Sequence, residues 1–125
     1  MSAHNDYGEW GELVAQDYLR RQGYVILERN WRSLSGVELD IVARLNDLLV
    51  IVEVKTRSNE FYGSAAEAVD DRKIRHICRA TGSYVKYHRL SLPIRYDIIT
   101  VVGHDPNPKV THIEGAFLPP INYVR

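Results

Sequence analysis

The sequence predicts an α/β domain in which a mixed sheet of about five strands is flanked by helices. Three observations point there. Amphipathic stretches with helical spacing occupy residues 6–22 and the region leading to residue 88. Short runs rich in Val, Ile and Leu lie between and after them. One helix falls between the third and fourth runs, which permits a parallel strand pair there, because parallel neighbours need a long crossover.

The first helix, residues 6–22, opens with a capping-box-like Asp6 and Glu9 and is stopped by Gly23. Trp10, Leu13, Val14 and Tyr18 form its apolar face, and Gly8, Gly11, Ala15 and Leu19 line the adjoining strip. Glu12 lies on that strip of small residues, where a helix backbone can approach its neighbour closely and direct a side chain inward. Tyr24–Asn30 reads as a first strand, followed by a polar stretch from Trp31 to Ser35. Residues 36–45 and 48–57 form two arms of a hairpin around Asn46-Asp47, and residues 59–64 form a loop containing Phe61 and Tyr62. A second helix begins at Ala65 or Asp70 and reaches His88, with Ile74, Ile77, Cys78, Thr81 and Val85 in a helical stripe. Arg72, Arg75, Arg79 and Lys86 fall on another face of that helix. Pro93 then precedes a strand at Ile94–Val102, Asp105–Pro108 makes a turn, and Lys109–Phe117 is the last strand.

With 125 residues the chain can bury one core without staples, so one domain is expected over 1–125, its core at about 6–117. The longest aliphatic stretch, Leu48–Val52, is far too short to span a membrane. The start, Met1–Asp6, has no basic n-region and no apolar run, so no secretory leader is expected. A lone cysteine, Cys78, excludes an intrachain disulfide and fits a reducing cytoplasm; its place on the apolar stripe makes it core. No histidine stands at zinc-site spacing from Cys78. Net charge is zero, with 16 basic and 16 acidic residues, which argues against a uniformly positive surface but leaves room for a basic face.

The hairpin carries the anomaly. Side chains alternate along a strand, so Glu38, Asp40, Val42 and Arg44 should share one face, with Leu39, Ile41, Ala43 and Leu45 behind. In the second arm Leu49, Ile51, Glu53, Lys55 and Arg57 share a face, with Val50, Val52, Val54 and Thr56 behind. A turn centred on Asn46-Asp47 pairs Leu45 with Leu48, and hence Asp40 with Glu53 and Glu38 with Lys55. Opposed residues have Cβ atoms about 4.5–5.5 Å apart, so two facing carboxylates repel unless a proton or a cation lies between them. A divalent metal held by one or two carboxylates and water answers that need. Lys55, on the same face as Glu53, is placed either to hold a scissile phosphate or to orient the attacking water. Surface ion pairs are the bland reading for any one of these residues. Four of them in one register, with apolar neighbours behind, favour a site.

These residues carry a family resemblance. Asp40, then Glu53-Val54-Lys55, resembles the PD-(D/E)xK nuclease motif. Gly11-Glu12, Gly36-Val37-Glu38-Leu39-Asp40, Val52–Arg57, Ala68-Val69 with Lys73, and Arg95–Ile98 together resemble the small bacterial YraN-like family, which is similar to archaeal Holliday-junction resolvases. The resemblance implies a restriction-endonuclease-like fold, Mg²⁺ or Mn²⁺ as cofactor and DNA as partner. It implies Asp40, Glu53, Glu12 and the Val54 carbonyl as metal ligands, and Lys55 as the catalytic lysine beside Asp40 and Glu53. The family usually has Gly-Gly-Glu where this chain has Gly36-Val37-Glu38, which leaves the role of Glu38 open. Arg57, Lys73, Arg75 and Arg79 are the candidate phosphate contacts, a solvated helix face being the equal alternative for Arg75 and Arg79; Lys73 is best supported because the family pattern carries a lysine there. Phe61 and Tyr62 either stack on an unpaired base or cap the sheet edge. Asp97 receives no role.

The leading expectation is therefore a cytoplasmic, metal-dependent endonuclease acting on structured or branched DNA, with no membrane partner and with room for a homodimer. A nucleic-acid-binding or assembly module that keeps the fold without turnover is the alternative, favoured by zero net charge. A structural protein whose acidic cluster receives an arginine from a partner subunit is the third.

Overall fold

Residues 3–59 and 69–120 are described in a computed structural model of the chain. Helix α1 (Ala3–Arg21) ends because Gly23 adopts φ 92, a conformation glycine takes without steric cost. The Gly23 N–H then bonds the Arg20 carbonyl and the Tyr24 N–H bonds that of Leu19, a Schellman closure. Strands β1 (Val25–Arg32), β2 (Glu38–Leu45) and β3 (Leu48–Arg57) follow, then α2 (Asp71–Tyr87), β4 (Ile94–Val102) and β5 (Lys109–Phe117). Asp70 caps α2, its side chain accepting from the Lys73 N–H at 2.8 Å, so the later of the two expected starts is the one used. Phe61, Tyr62, Ala65 and Ala68 lie outside the described residues.

The five strands stand in sequence order, β1-β2-β3-β4-β5. β3 and β4 are parallel, with α2 in the connection between them, and every other pair is antiparallel. The mixed sheet with a helix on each face is the expected architecture. Ala15 and Leu19 of α1 pack with Ile41, Ala43, Val50, Val52, Val54, Ile99 and Val101 on one face. Ile77, Cys78, Ala80 and Tyr84 of α2 pack with Val42, Leu49, Ile51, Tyr96 and Ile98 on the other. Each fully buried aliphatic side chain contributes roughly 2 kcal/mol, so Leu19, fully buried, is a principal anchor of α1. Cys78 is buried in the α2-side core, as its place on the stripe implied. No helix among the described residues is long and apolar enough to cross a membrane.

Two details differ from the sequence reading, and both shape the site. β1 continues through Trp31 and Arg32 where a polar loop was expected. Trp31 pairs with Leu39 and sets its ring edge-on to Tyr84 of α2 at 5.2 Å, and that burial draws the strand onward. The second difference lies in β2. The hairpin register is the expected one, Leu45 with Leu48 through Ile41 with Val52. At Asp40 the alternation slips, because Leu39 packs on the α2 side together with Val42. The expected sharing of one face by Glu38, Asp40 and Val42, and the facing of Glu38 and Lys55, therefore fail: the apolar demand of Trp31 and α2 on Leu39 turns the start of β2. Glu38 instead pairs with Arg32 across β1–β2, at 3.0 Å.

Candidate active site

The carboxylates meet at one end of the sheet, where the start of β2 and the later half of β3 lie side by side. Glu53 is 3% exposed, held there by the apolar residues that precede it on β3. Asp40 is half-buried at the slip in β2, and its Oδ2 accepts the Val54 N–H at 2.9 Å. A side chain thus takes a backbone donor just where the hairpin ladder ends. The Val54 carbonyl belongs to the same segment. Burial first, and then the neighbouring Asp40 carboxylate, push Glu53 up to about 8.

Lys73, in the first turn of α2, places its Nζ 3.2 Å from Glu53 Oε1. Burial works against its charge, but Glu53 and Asp40 outweigh that and raise its pKa. A cleft of about 450 Å³ opens here, lined by Val37, Glu38, Asp40, Glu53, Lys73 and His76.

Glu12 reaches the cluster from the opposite helix. α1 can come this close because Gly11 lies against Thr56 of β3, where any Cβ would run into the threonine side chain. The small-residue strip read from the sequence thus serves close approach, and Gly11 is the position that needs it. With its amide turned so that Nδ2 faces the acids, Asn30 donates to Glu12 Oε1 and Glu38 Oε1, each at 2.9 Å. Asn30 holds φ 50, an uncommon conformation for a side-chain-bearing residue and one that asparagine tolerates best. Burial, followed by the charge of Asp40, raises Glu12 to about 7, against the lowering effect of Asn30. One turn along α1, Gln16 is buried with no hydrogen-bond partner for its Oε1 among the described residues.

The expected residues are not gathered equally. Asp40, Glu53, Val54, Glu12 and Lys73 come together, and Glu38 joins them through Asn30. Lys55, half-buried, lies two residues beyond Glu53 on the same strand face. Arg57 ends β3. Arg75 is exposed and turned about 200° round α2 from Lys73. Arg79 lines a different cleft, with Trp31, Arg32 and Tyr87. Asn30 and His76 were missed. His76 had a signal, since it follows Lys73 by three residues and so shares its side of the helix. Asn30 had none, because its role depends on a backbone conformation that strand patterning does not announce.

Among the described residues no three His, Cys, Asp or Glu side chains form a group that could hold a metal by themselves. The donor set fits the lighter requirement of a hard cation such as Mg²⁺, which takes one or two carboxylates and keeps several waters. Asp40 and Glu53 are the two carboxylates at hand, the Val54 carbonyl is adjacent, and burial together with the Asp40 carboxylate raises the pKa of Glu53 against the pull of Lys73.

Fold and site together define an α/β protein with a carboxylate–lysine cluster built round buried Glu53 at one end of a mixed sheet. The chain belongs to the uncharacterised protein family UPF0102, whose profile matches residues 11–101; this is the YraN-like family its motifs resemble. It is 48% identical over 121 residues to a UPF0102 protein of Bacteroides thetaiotaomicron, covering 97% of this chain and 99% of that one. A UPF0102 protein of Phocaeicola vulgatus is 46% identical over the same shares of each chain. One from Flavobacterium psychrophilum is 43% identical over 117 residues, 94% of this chain and 98% of its own.

Proposed function

We propose that this protein is a metal-dependent endonuclease that hydrolyses phosphodiester bonds in structured or branched DNA. The observation that carries the reading is the convergence of Asp40 and buried Glu53 beside a lysine, two carboxylates that burial and their mutual repulsion set against both being charged without a further cation. Asp40, Glu53 and the Val54 carbonyl would hold Mg²⁺ or Mn²⁺, with Glu12 adding negative charge beside Asp40 rather than a third carboxylate ligand. When bound, such an ion supplies an activated water and offsets charge on the phosphate. Lys55, on the Glu53 face, contributes a positive charge towards the phosphate as negative charge builds on its oxygens. Asn30 fixes Glu12 and Glu38 in orientation. Lys73, bonded to Glu53, and Arg57 at the end of β3 meet the flanking phosphates.

A non-catalytic nucleic-acid-binding module is the second reading, and one observation favours it. The Lys73 ammonium already stands 3.2 Å from Glu53, where a cation is wanted. Cleavage of a panel of branched and linear DNAs in Mn²⁺ separates the two. The nuclease reading expects cutting of branched substrates that Asp40→Asn abolishes and Lys55→Ala abolishes without loss of metal binding. Binding without cutting on every substrate, unchanged in both variants, would establish the module instead.

A further inference from the structure

A second cleft, of about 770 Å³, lies on the α2 side of the sheet, and the hydrolytic reading does not use it. Trp31, Arg32 and Leu34 form one wall, and Arg79, Ser83 and Tyr87 of α2 form the other. Its volume is that of a site for a small organic group.

This cleft adjoins the carboxylate cluster along both walls. Arg32 lines it, Glu38 lines the cluster's cleft, and the two are bonded at 3.0 Å. Arg32 Nη1 also donates to the carbonyl of Gly36, which lines the cluster's cleft, at 3.4 Å. On α2, His76 lines the cluster's cleft and Arg79, three residues on, lines this one. Trp31, Val37 and Ile77 all pack into the α2-side core, so both clefts open on one side of the sheet. Arg79 lies about 9 Å along the helix axis from Lys73, and Tyr87 about 21 Å. The strand wall runs the same way, since Arg32 pairs with Glu38 and Glu28 with Val42, farther from the cluster.

The walls carry two kinds of group. Leu34 and Tyr87 stand exposed and Trp31 is partly buried, its ring edge-on to Tyr84, which together make an uncovered apolar and aromatic surface. Beside it runs a line of positive charge. At about 100° per residue, Arg72, Arg75 and Lys86 fall within about 40° of Arg79 round α2, and all four are exposed. Contacts with Glu38 and Gly36 orient the Arg32 guanidinium and use only part of its fork of donors. Glu28, 3.9 Å from His88, stands at the end away from the cluster, so an anion belongs at the Arg32–Arg79 end. Rings and aliphatic groups beside a basic edge match unpaired nucleotides, whose bases stack while their phosphates meet arginine. A continuous duplex offers the phosphates but keeps its base faces covered.

We infer that this cleft holds unpaired nucleotides of the strand that enters the carboxylate cluster, with bases against Trp31, Leu34 and Tyr87 and phosphates on Arg79 and Arg32. Such contacts are sequence-tolerant, since every base offers a π-face. They favour DNA with a single-stranded arm beside the cluster over continuous duplex. This inference rests on the nucleic-acid reading above.

Metal-free binding in EDTA tests the cleft without requiring cleavage. The chain has two tryptophans, so Trp10→Phe leaves Trp31, in the cleft wall, as the sole indole reporter. Oligo(dT) and a blunt duplex of equal length are titrated into this variant and into its Tyr87→Ala, Tyr87→Phe and Arg79→Gln derivatives. Oligo(dT) is expected to quench Trp31 emission. Tyr87→Ala should weaken oligo(dT) binding about ten-fold and duplex binding less than about two-fold, and Tyr87→Phe should keep the parent affinity. Arg79→Gln should lower the slope of log affinity against log salt by about 0.7, the share of one phosphate contact on a single strand. Binding of both DNAs with no Trp31 quenching, with equal losses in Tyr87→Ala, or with an unchanged salt slope in Arg79→Gln would overturn the cleft assignment and leave the nucleic-acid reading standing. A dimer that Tyr87→Ala dissociates, with oligo(dT) affinity unchanged, would overturn it in favour of a self-association face. Binding of neither DNA would overturn both readings. Tyr87 and Arg79 are exposed, so thermal unfolding should match across the variants and show that folded proteins are compared.

Discussion

Two buried acids in this sheet have opposite surroundings. Asp97, on β4, is fully buried and completely partnered: Arg95 donates to both of its oxygens at 2.9 and 2.8 Å, His112 Nε2 lies at 2.7 Å, and the Gly115 N–H donates at 3.0 Å. The network extends outward, with Tyr24 accepting from Arg95 and the Tyr18 hydroxyl meeting the other nitrogen of His112. Burial alone would raise the pKa of Asp97, but His112, Arg95 and the Gly115 amide overcome it and hold the carboxyl below its ordinary value. Glu53, almost as deeply buried, has Lys73 as cation and Asp40 as repulsive neighbour, and rises to about 8. One acid is stabilised by its surroundings and ties α1, β4 and β5 together. The other is held at a cost, set first by burial and then by the Asp40 carboxylate. The proposed cation site at the Asp40–Glu53 end rests on that difference.

The largest effect should come from breaking the satisfied acid. Arg95→Met leaves Asp97 buried with only His112 and the Gly115 N–H as partners and should cost about 3 kcal/mol in urea unfolding. Glu53→Gln should do the reverse in metal-free protein, because it relieves repulsion with Asp40. Near pH 8.5 we expect it to be neutral or to stabilise by about 1 kcal/mol. A large loss in that variant would place both acids in one class and end the distinction.

The two acids also predict opposite pH limbs. The folded pKa of Asp97 is depressed from 3.8, so its stabilisation is present above that value and is lost as pH falls through the lower, folded one. Glu12 and Glu53 are raised from 4.5 to about 7 and about 8, so metal-free stability is greatest below 4.5 on their account and declines as pH rises through those values. Urea midpoints followed across pH should show both limbs. Asp97→Asn should flatten the acid limb, and Glu53→Gln should flatten the upper one.

Smaller effects sharpen the geometry. Gly11→Ala should destabilise by about 1–3 kcal/mol, since its Cβ meets the Thr56 side chain. Thr56→Ala in the same chain should restore part of the loss. Arg75→Ala, on the exposed side of α2, should change stability by less than about 0.5 kcal/mol. A stability loss in Arg75→Ala comparable to that in Gly11→Ala would contradict the placement of these residues.

Much of this was legible in the sequence because local patterns and tertiary packing agree. The period-2 runs of β3, the stripe on α2 and the Asn46-Asp47 turn fix the sheet order and the hairpin register without further information. Asp40 and Glu53 stood out as charges in apolar strands. The slip at Asp40 was hidden because Leu39 obeys alternation locally, and only the distant pull of Trp31 and α2 reverses it. Asn30 was hidden by its φ of 50, which no strand pattern announces. Asp97 carries no signal because its network joins His112 and Gly115 of β5 to it directly, and Tyr18 and Tyr24 through His112 and Arg95, all far away along the chain except Arg95.

The central claim is that the Asp40–Glu53 end is a cation site, and calorimetric titration of Mn²⁺ into the purified chain tests it most directly. Wild-type protein should show saturable binding, accompanied by proton release near pH 7.5 as the incoming cation displaces the Glu53 proton to the buffer. Asp40→Asn should abolish that heat, whereas Lys55→Ala should retain it. Heats of dilution alone in the wild type, or saturable binding that survives in Asp40→Asn, would contradict the account.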